Sequence, residues 1–295
     1  MNKYLKLIFD SEYRLTVLSR FWFVKRIDDE KYLKKRYKYA FKKELDLDNP
    51  KTFEAKLQWL KLYDRKPEYT DLVDKLKVKD FVAKTIGEEY VIPTIGVWDK
   101  FDDIDFDSLP EKFVLKCNHN SGGYVVCDDK AKLDKDGAKK FLEKNLKQNF
   151  YYHGRELPYK NIEPKIIAEK FLDAELIDYK FFCFNGEVKL LHTCTDREKG
   201  ELCIDFFDLD WNHLELKRKG CKNASVTPKK PKNFEKMIEF ATVLSKDKKF
   251  ARIDFYEVNG KLYFGEITFY PACGFKLFEP DEWNLKLGEM LDLGK

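Results

Sequence analysis

The chain has 295 residues, enough for one large domain or two modest ones, each with a hydrophobic core. Its apolar content of 43% excludes wholesale disorder, and its seven irregularly spaced cysteines predict neither a disulfide framework nor a structural zinc site. The net charge of +4 is uneven: residues 1–43 hold thirteen Lys or Arg and five Asp or Glu, and the remainder is about −4. The slightly negative charge of residues 44–295 does not indicate a nucleic-acid-binding protein.

The sequence shows no signal peptide and no apolar run of membrane-spanning length, so we expect a cytoplasmic protein. The basic residues 1–43 leave two interpretations open. They form a solvated face packed on the body of the protein, or they make a peripheral contact with the anionic inner face of the membrane.

The first 72 residues (1–72) are predicted to form a helical N-terminal segment. Thr52 is the expected N-cap of a helix through FEAKLQWLKLYD, and a further helix is expected over about 70–86, ending at Gly87. Residues 4–43 have helical spacing that places four apolar side chains on one side, namely Leu15, Leu18, Phe21 and Trp22.

From about residue 90 the pattern changes to short strands, with helices expected near 134–149 and 232–246. Because strands outnumber helices and hairpins are frequent, we predict an α+β protein with antiparallel sheets. The two prolines of LPYKNIEPK place the boundary between two lobes after residue 165, giving lobes 73–165 and 166–295. The predicted strands are VIPTIGVW, KFVLKCN, YVVCD, KIIAEKFL, DYKFFCFN, EVKLLHTCT, LCIDFFDLDW, FARIDFYEV and KLYFGEITF.

A glycine-containing loop lies within FVLKCNHNSGGYVVCD, residues 113–128. A strand ends near Lys116, and the polar Ser121-Gly122-Gly123 precedes a second strand. Glycines let backbone amides fold around an anion, and a lysine at the strand edge adds positive charge. The loop lacks the GK[ST] of a Walker-type loop. A phosphate-binding loop and an ordinary Gly-Gly hairpin turn both remain open.

A second candidate is KIIAEKFLDAELIDYKFFCF, residues 165–184. Its apolar run is interrupted by Glu169-Lys170 and resumes at Phe171-Leu172, as in a strand that leads into a hinge. The backbone of such a hinge can hold an adenine ring. A strand end with a salt-bridged Glu169 is the alternative.

The most informative stretch is ARIDFYEVNGKLYFGEITFYP, residues 251–271, where two strands flank an Asn-Gly turn. Strand side chains alternate, so Arg252 and Asp254 share a face. If Glu266 joins them, the carboxylates form the oxygen-rich site that Mg²⁺ takes together with phosphate oxygens. A simple cross-strand Arg–Glu ion pair is the alternative.

The position of Glu266 depends on the turn. A two-residue turn would pair Asp254 with Gly265 and send Glu266 to the opposite face. A three-residue loop over 258–260 would pair Arg252 with Glu266. We predict the three-residue loop because it gathers four polar side chains on one face, namely Arg252, Asp254, Glu266 and Thr268.

Together these motifs resemble the ATP-grasp superfamily, and within it the teichuronopeptide-biosynthesis-type (TupA-like) branch of bacterial surface-polysaccharide clusters. The resemblance covers about residues 49–293, and D-alanine–D-alanine-type ligases provide the nearest well-understood pattern. It implies an ATP-grasp fold, in which two α+β lobes with antiparallel sheets clasp a nucleotide. The matching segments are NPKTFEAKLQWLKLYDRKPEYTDLVDKLKVKDFV, FVLKCNHNSGG, DYKFFCFNGEVK and YFGEITFYPACGF.

The resemblance also implies ATP and Mg²⁺ as cofactors and a set of site residues. Phosphate contacts are implied for Lys75, Lys116, Lys180, Ser121, Gly122 and Gly123. The adenine site is implied for Glu169, Lys170, Phe171 and Leu172. Metal ligands are implied for Asp254, Glu266 and Thr268. Catalytic roles are implied for Lys116 and Arg252, whose planar donor fork suits an acyl phosphate and an oxyanion.

The activity implied is an ADP-forming carboxylate–amine ligation through an acyl phosphate. In this branch the implied acid is a uronic acid or an amino acid, and the amine is an amino acid or an amino sugar, on a small molecule or a glycan. Two departures stand out. Thr268 stands at the metal site where the superfamily has Asn, and its hydroxyl is a weaker ligand. About 70 helical residues replace the Rossmann-like domain that usually comes first and often helps form the acceptor pocket.

Two other functions remain open. Asp208-Leu209-Asp210 is a D-x-D of the kind with which glycosyltransferases bind a metal and a nucleotide sugar, although this pattern is permissive. A kinase would use the same ATP site on a hydroxyl acceptor.

Overall fold

A computed structural model describes residues 3–120, 122–172, 176–196 and 200–294. None of the helices in these ranges is long and apolar enough to cross a bilayer. The α-helices are α1 (Lys3–Phe9), α2 (Ser11–Leu18), α3 (Trp22–Lys25), α4 (Asp29–Phe41), α5 (Phe53–Tyr63), α6 (Tyr69–Val73), α7 (Val78–Ile86), α8 (Lys135–Leu146), α9 (Tyr151–Gly154), α10 (Phe234–Ser245) and α11 (Glu282–Glu289). Short 3-10 turns lie at Glu88–Tyr90, Phe101–Asp103, Lys130–Lys132, Leu157–Tyr159 and Pro271–Gly274.

The strands form two main antiparallel sheets and one small pair. They are β1 (Thr94–Trp98), β2 (Phe113–Cys117), β3 (Tyr124–Cys127), β4 (Ile166–Lys170), β5 (Asp178–Phe184), β6 (Glu187–Thr195), β7 (Cys203–Phe207), β8 (Lys217–Arg218), β9 (Phe250–Val258), β10 (Lys261–Thr268) and β11 (Phe278–Glu279). Each of the nine predicted strand segments contains one of these strands, and the α+β prediction is confirmed. The two-residue strands β8 and β11 were not predicted.

The first sheet has the order β1-β4-β2-β3 and packs on α8. Its core side chains include Phe113 and Leu115 of β2 and Leu142 of α8. Strand β4 pairs with both β1 and β2 and therefore lies inside this sheet. The predicted lobe boundary after residue 165 assigned β4 to the second lobe, and it is wrong because β4 needs the first sheet for its backbone hydrogen bonds.

The second sheet has the order β10-β9-β5-β6-β7, and its central strand β5 is buried along its whole length. One face packs on α10, where Phe181 contacts Phe234. The opposite face packs on α5, where Phe53 contacts Phe182 and Phe250. A strand covered on both sides explains why β5 reads as a continuous apolar run interrupted by a single lysine.

The N-terminal helices build part of the body. Thr52 caps α5 as predicted, because its hydroxyl accepts from the backbone N–H of Ala55 at 3.4 Å. The single helix predicted over 70–86 is two helices, and the break between α6 and α7 contains Lys75. Residues from α2–α5, including Tyr32 and Leu33, share a core with Cys273 and Phe275.

The apolar side predicted within residues 4–43 is only partly correct. Leu15 is buried, and Leu18 packs beside the same core. The helix ends at Leu18, so Phe21 and Trp22 fall in a new turn and are 52% and 67% exposed.

Candidate active site on the second sheet

The β9–β10 hairpin turns through Asn259-Gly260, so Val258 pairs directly with Lys261. Both turn residues have positive φ, at 52° and 77°, which is the conformation that a two-residue hairpin of this twist favours. The predicted three-residue loop is therefore wrong, and so is the predicted pairing of Arg252 with Glu266.

A β-bulge at Gly265 restores the predicted face by another route. The register shifts between Phe264 and Glu266, so that Glu266 pairs with Asp254. A Cβ on Gly265 would lie 3.0 Å from the backbone oxygen of Asp254, which favours glycine at the bulge. Since paired residues share a face, the four polar side chains meet as predicted, with Thr268 opposite Arg252.

Arg252 is the centre of the resulting ion cluster. Its Nε and Nη2 donate to Oδ1 and Oδ2 of Asp254, both at 2.7 Å. Nη2 also donates to Oε1 of Glu266 at 2.8 Å and to the Thr268 hydroxyl at 3.0 Å. Lys180 of β5 donates to Asp254 and lies 3.3 Å from Asp178. Each buried charge of this cluster therefore has an opposite partner.

The pKa values of the two carboxyl groups shift in opposite directions. Burial opposes ionisation of Glu266, but the charges of Arg252, Lys180 and Lys75 lower its pKa to about 2. Burial raises the pKa of Asp254, while Arg252 and Lys180 favour its charged form. Glu266 also has a side chain that is 37% exposed, whereas that of Asp254 is fully buried.

The first sheet carries a second ion cluster around Glu169. Its carboxylate pairs with Lys116 at 2.5 Å and with Lys79 at 2.7 Å. Burial opposes ionisation of Glu169, and the two lysines lower its pKa below the ordinary value. Lys79 was missed in the sequence, although it lies only four residues beyond Lys75. The predicted role of Glu169 toward an adenine stays a prediction.

Lys75 connects the two clusters. Its backbone N–H donates to the Asn118 oxygen at 3.1 Å, which fixes the break after α6 beside the end of β2. Its ammonium group donates to the backbone oxygen of Asn120 in the glycine-containing loop. Burial lowers the pKa of Lys75, and the charge of Glu266 counteracts this effect. Lys75 therefore lies where both sheets face one another.

The glycine-containing loop follows β2. Gly122 and Gly123 have φ of 79° and 90°, and Ser121 lies outside the described residues. The ring of His119 contacts the backbone oxygen of Gln148 at 3.0 Å.

The predicted hinge residues lie at the end of β4. The backbone N–H of Lys170 donates to the Pro93 oxygen at 3.0 Å. Leu172 is buried against Val258 and Tyr263 of the hairpin, so the hinge touches the second sheet. Phe171 lies under the ammonium group of Lys112 at 5.6 Å, and residues 173–175 are outside the described ranges.

The D-x-D of the alternative function forms a turn. Asp208 Oδ1 accepts from the backbone N–H groups of Asp210 and Asn212 at 3.0 and 2.8 Å. Its Oδ2 accepts from the Asn212 side chain at 2.9 Å. These contacts give Asp208 a structural task, as is common for aspartate in turns.

The match to a family model decides the classification: the description "TupA-like ATPgrasp" fits residues 55–292. The chain belongs to the TupA-like ATP-grasp family. This match confirms the resemblance found in the sequence and the ATP-grasp fold. No curated protein matches the chain.

Solved structures similar to this TupA-like protein are ATP-grasp enzymes at low identity. The L-amino acid ligase of Bacillus licheniformis is 14% identical, with a TM-score of 0.45, over 84% of this chain and 56% of its own. The N5-carboxyaminoimidazole synthetase of Staphylococcus aureus is 16% identical, with a TM-score of 0.39, over 67% and 44%. The D-alanine–D-alanine ligase of Bacillus anthracis complexed with ATP is 15% identical, with a TM-score of 0.44, over 95% and 91%. The chain thus spans about half the length of the first two.

Proposed function

We propose that this TupA-like protein is an ATP-dependent, ADP-forming carboxylate–amine ligase that makes an amide through an acyl phosphate. The observation that carries the proposal is the position of Lys75 between the two ion clusters. Lysines from the first lobe and carboxylates from the second lobe face one space there, which suits a triphosphate and its metal ion.

The cations around this space have different roles. Lys75 and Lys116 bind phosphate oxygens, and the loop at Gly122-Gly123 supplies backbone amides to them. Arg252 presents its guanidinium to the acyl phosphate and to the oxyanion that forms when an amine attacks it. Catalysis then consists of positioning and electrostatic stabilisation, without a side-chain nucleophile.

The residues at the hairpin fit a magnesium ion. Two opposed carboxylates, Asp254 and Glu266, and the hydroxyl of Thr268 are the hard oxygen donors that Mg²⁺ takes, and the Glu266 side chain is 37% exposed. Mg²⁺ held by these side chains would neutralise phosphate charge. Thr268 can replace the usual Asn as a ligand because its hydroxyl already lies 3.0 Å from Oε1 of Glu266.

The test is trapping of the acyl phosphate with hydroxylamine. Wild-type protein with Mg-ATP and a panel of uronic acids and amino acids is expected to release ADP and form a hydroxamate with at least one acid. Glu266→Gln is expected to lose at least 100-fold of this rate, while Lys217→Gln, an exposed change on β8, retains it. Absence of hydroxamate with every acid would overturn the proposal.

The same assay separates the two alternatives. A kinase would release ADP but make a phosphate ester that hydroxylamine does not cleave. A glycosyltransferase would gain thermal stability from UDP with manganese rather than from Mg-ATP. The turn contacts of Asp208 favour the ligase over the glycosyltransferase, because they occupy its carboxylate.

The substrates proposed here follow from the family branch. The acid is a uronic acid or an amino acid, the amine is an amino acid or an amino sugar, and the acceptor belongs to a bacterial surface polysaccharide. A membrane-bound glycan intermediate would bring the enzyme to the inner face of the membrane.

A peripheral membrane contact through residues 1–43 is part of this proposal. Phe21, Trp22 and Phe23 are exposed beside the exposed cations Arg20 and Arg26, a pairing typical of anionic membrane surfaces. Truncation near residue 45 is a poor test because α2 and α4 share a core with Cys273 and Phe275.

Liposome flotation of the full chain tests the contact. Vesicles with anionic lipid are expected to float the wild type, and Trp22→Ser combined with Phe23→Ser is expected to leave the protein at the bottom of the gradient. Val226→Ser, which removes another exposed apolar side chain, is the control. Equal sedimentation of wild type and double variant would end the membrane proposal.

A further inference from the structure

A basic tract covers residues 218–232 and begins at the last residue of β8. It contains no Asp or Glu, although about one residue in six of the whole chain is acidic. Outside the tract, residues 44–295 hold 37 Lys or Arg and 47 Asp or Glu, so a cationic segment lies on an otherwise acidic body. The cations of the tract are Arg218, Lys219, Lys222, Lys229, Lys230 and Lys232.

The backbone of the tract is fixed along β7, the edge strand of the second sheet. The Lys222 oxygen accepts from the backbone N–H of Ile204 at 2.9 Å. The backbone N–H of Ala224 donates to Oδ2 of the buried Asp205 at 3.0 Å. These anchors use backbone groups of the tract, so its charged side chains are free to face solvent and a ligand.

Five of the six cations are exposed, and few of them are neutralised. Lys222 lies 3.8 Å from Glu201, and Lys230 lies 2.8 Å from Glu235; both pairs are on the surface, where salt screens them. The other four cations form no ion pair with any residue that the structure describes. Like charges that crowd together repel one another, and a polyanion relieves this repulsion.

The tract begins next to the candidate active site. Arg218 and Arg252 line the same small cavity, which has room for about one water molecule, so the two guanidinium groups are close. The exposed Lys276 lines this cavity too, and the backbone N–H of Lys219 donates to the Leu277 oxygen beside it at 2.9 Å. A cationic surface therefore leads from the edge of the second sheet to the residue proposed to face the acyl phosphate.

We propose that the basic tract binds a polyanionic glycan, a polymer whose sugar units carry carboxylates, and holds it beside Arg252. Its role as the acid substrate rests on the proposed ligase function and names the substrate as polymeric. Carboxylates repeated along a chain can meet cations that are spread over fifteen residues. A single uronic acid would meet only one or two of them.

The composition of the tract favours a glycan over a membrane or a single-stranded nucleic acid. Val226 is its one exposed large apolar side chain, and it contains no aromatic residue. Membrane surfaces take up apolar and aromatic side chains, and single-stranded nucleic acids stack on aromatic rings. The segment 20–26, with Phe21 to Phe23 exposed, has the membrane-binding character that the tract lacks.

Binding is tested by calorimetry on the full chain with an oligogalacturonate of about ten units. The oligomer is expected to bind in 50 mM NaCl and at least tenfold more weakly in 300 mM NaCl, because salt screens the attraction. A neutral dextran of the same length is expected not to bind. The combined variant Lys219→Gln, Lys222→Gln and Lys229→Gln is expected to lose at least tenfold in affinity, and arginine at the same three positions is expected to restore it.

A matched control removes the same charge from the first lobe. Its three exposed lysines lie on α8 and directly after it, and their loss is expected to change the affinity less than twofold. Equal losses in the two triple variants would overturn the proposal, because net charge alone would then explain binding. The control changes are Lys140→Gln, Lys144→Gln and Lys147→Gln.

Two further outcomes would assign the tract to another ligand and overturn the proposal. One is tighter binding of a DNA oligomer of equal charge than of the oligogalacturonate. The other is loss of flotation with anionic vesicles in the tract variant while its affinity for the oligogalacturonate is unchanged.

Turnover separates this inference from the ligase proposal. With the oligogalacturonate in the hydroxylamine assay, the tract variant is expected to raise KM at least tenfold at unchanged kcat, and the α8 control to change neither. Hydroxamate formation without binding of the oligomer overturns the inference and leaves the ligase proposal intact. Absence of hydroxamate with every acid overturns the ligase proposal, and calorimetry still decides whether the tract binds the polymer.

Discussion

Two groups of charged residues meet at Arg252, and they differ in how their charges are balanced. On the hairpin side, Asp254 has two cations within hydrogen-bond distance, and Glu266 has the guanidinium. On the other side, Glu54 and Arg218 line a small cavity beside Arg252, and neither forms an ion pair among the described residues. The paired group balances its buried charges within the chain, whereas each charge of the unpaired group is buried without an opposite charge beside it.

Breaking the paired group is expected to have the largest effect on stability. Asp254→Asn leaves the cations Arg252 and Lys180 without their shared carboxylate, so we expect a loss of about 3–5 kcal/mol in the free energy of unfolding. Urea unfolding followed by circular dichroism measures it. Glu266→Gln is the control, and its cost is smaller because its side chain is 37% exposed. A smaller loss for Asp254→Asn than for Glu266→Gln would contradict the pairing described here.

Neutralising the unpaired acid is expected to act in the opposite direction. The folded pKa of Glu54 is about 7 and its ordinary value is 4.5, so the folded state holds more protons between these values. Wild-type stability therefore falls as pH rises through this window. Glu54→Gln removes that loss and stabilises the protein by up to about 3 kcal/mol at pH 8.

The measurement is urea unfolding of wild type and Glu54→Gln at pH 5 and at pH 8. We expect the advantage of the variant to be much larger at pH 8. A variant that is less stable than wild type at pH 8 would mean that the hydrogen bond with Thr52 outweighs the cost of burying the Glu54 charge.

The turn Pro271–Gly274 packs on α5, and this packing is tested at Gly274. Its φ is +62°, and an added Cβ would lie 2.5 Å from Gln58 Nε2 and 3.0 Å from Leu57 Cβ. Gly260 also has a positive φ, of +77°, but has open space around its Cβ position. We expect Gly260→Ala to cost about 1 kcal/mol and Gly274→Ala about 1–3 kcal/mol more. Equal thermal unfolding of the two variants would show that α5 does not restrain the turn.

The smallest effect is expected at Arg218. Since its guanidinium has no partner in the described chain, Arg218→Gln should change the free energy of unfolding by less than about 0.5 kcal/mol. Arg252→Gln, which deprives two carboxylates of a donor, is expected to cost several times more. Urea unfolding of both variants under the same conditions makes the comparison. A large cost for Arg218→Gln would indicate that the guanidinium stabilises the folded chain.

The paired group could be predicted because its members are close in sequence. Arg252 and Asp254 are two residues apart, and Glu266 returns on the next strand across a recognisable Asn-Gly turn. Alternation of side chains then places them together, even though the register was predicted wrongly. The nine strand segments were predictable for the same reason, because apolar runs between turn residues are a local signal.

The unpaired group could not be predicted because no local pattern joins Glu54 to Arg218. They are brought together by α5 packing over the second sheet, and a single glutamate in the first turn of a helix reads as an ordinary surface residue. The break before α7 was missed for a related reason. Asp74 and Lys75 fit a helical pattern, and only the tertiary contact with Asn118 ends the helix there.

The extra residue at Gly265 has a consequence for how the hairpin is compared between relatives. A ribbon with a three-residue loop and no bulge has the same length, and by parity it presents the same four side chains on the same side. The extra residue can therefore lie in the turn of one homologue and in the bulge of another. The sequence alignment then needs no gap, and each face of the hairpin keeps its side chains. A deletion of the bulge residue alone would leave Glu266 opposite Asp254, whereas pairing Gly265 with Asp254 in a regular ladder would send the Glu266 carboxylate into the layer where Ile253 and Phe255 lie buried.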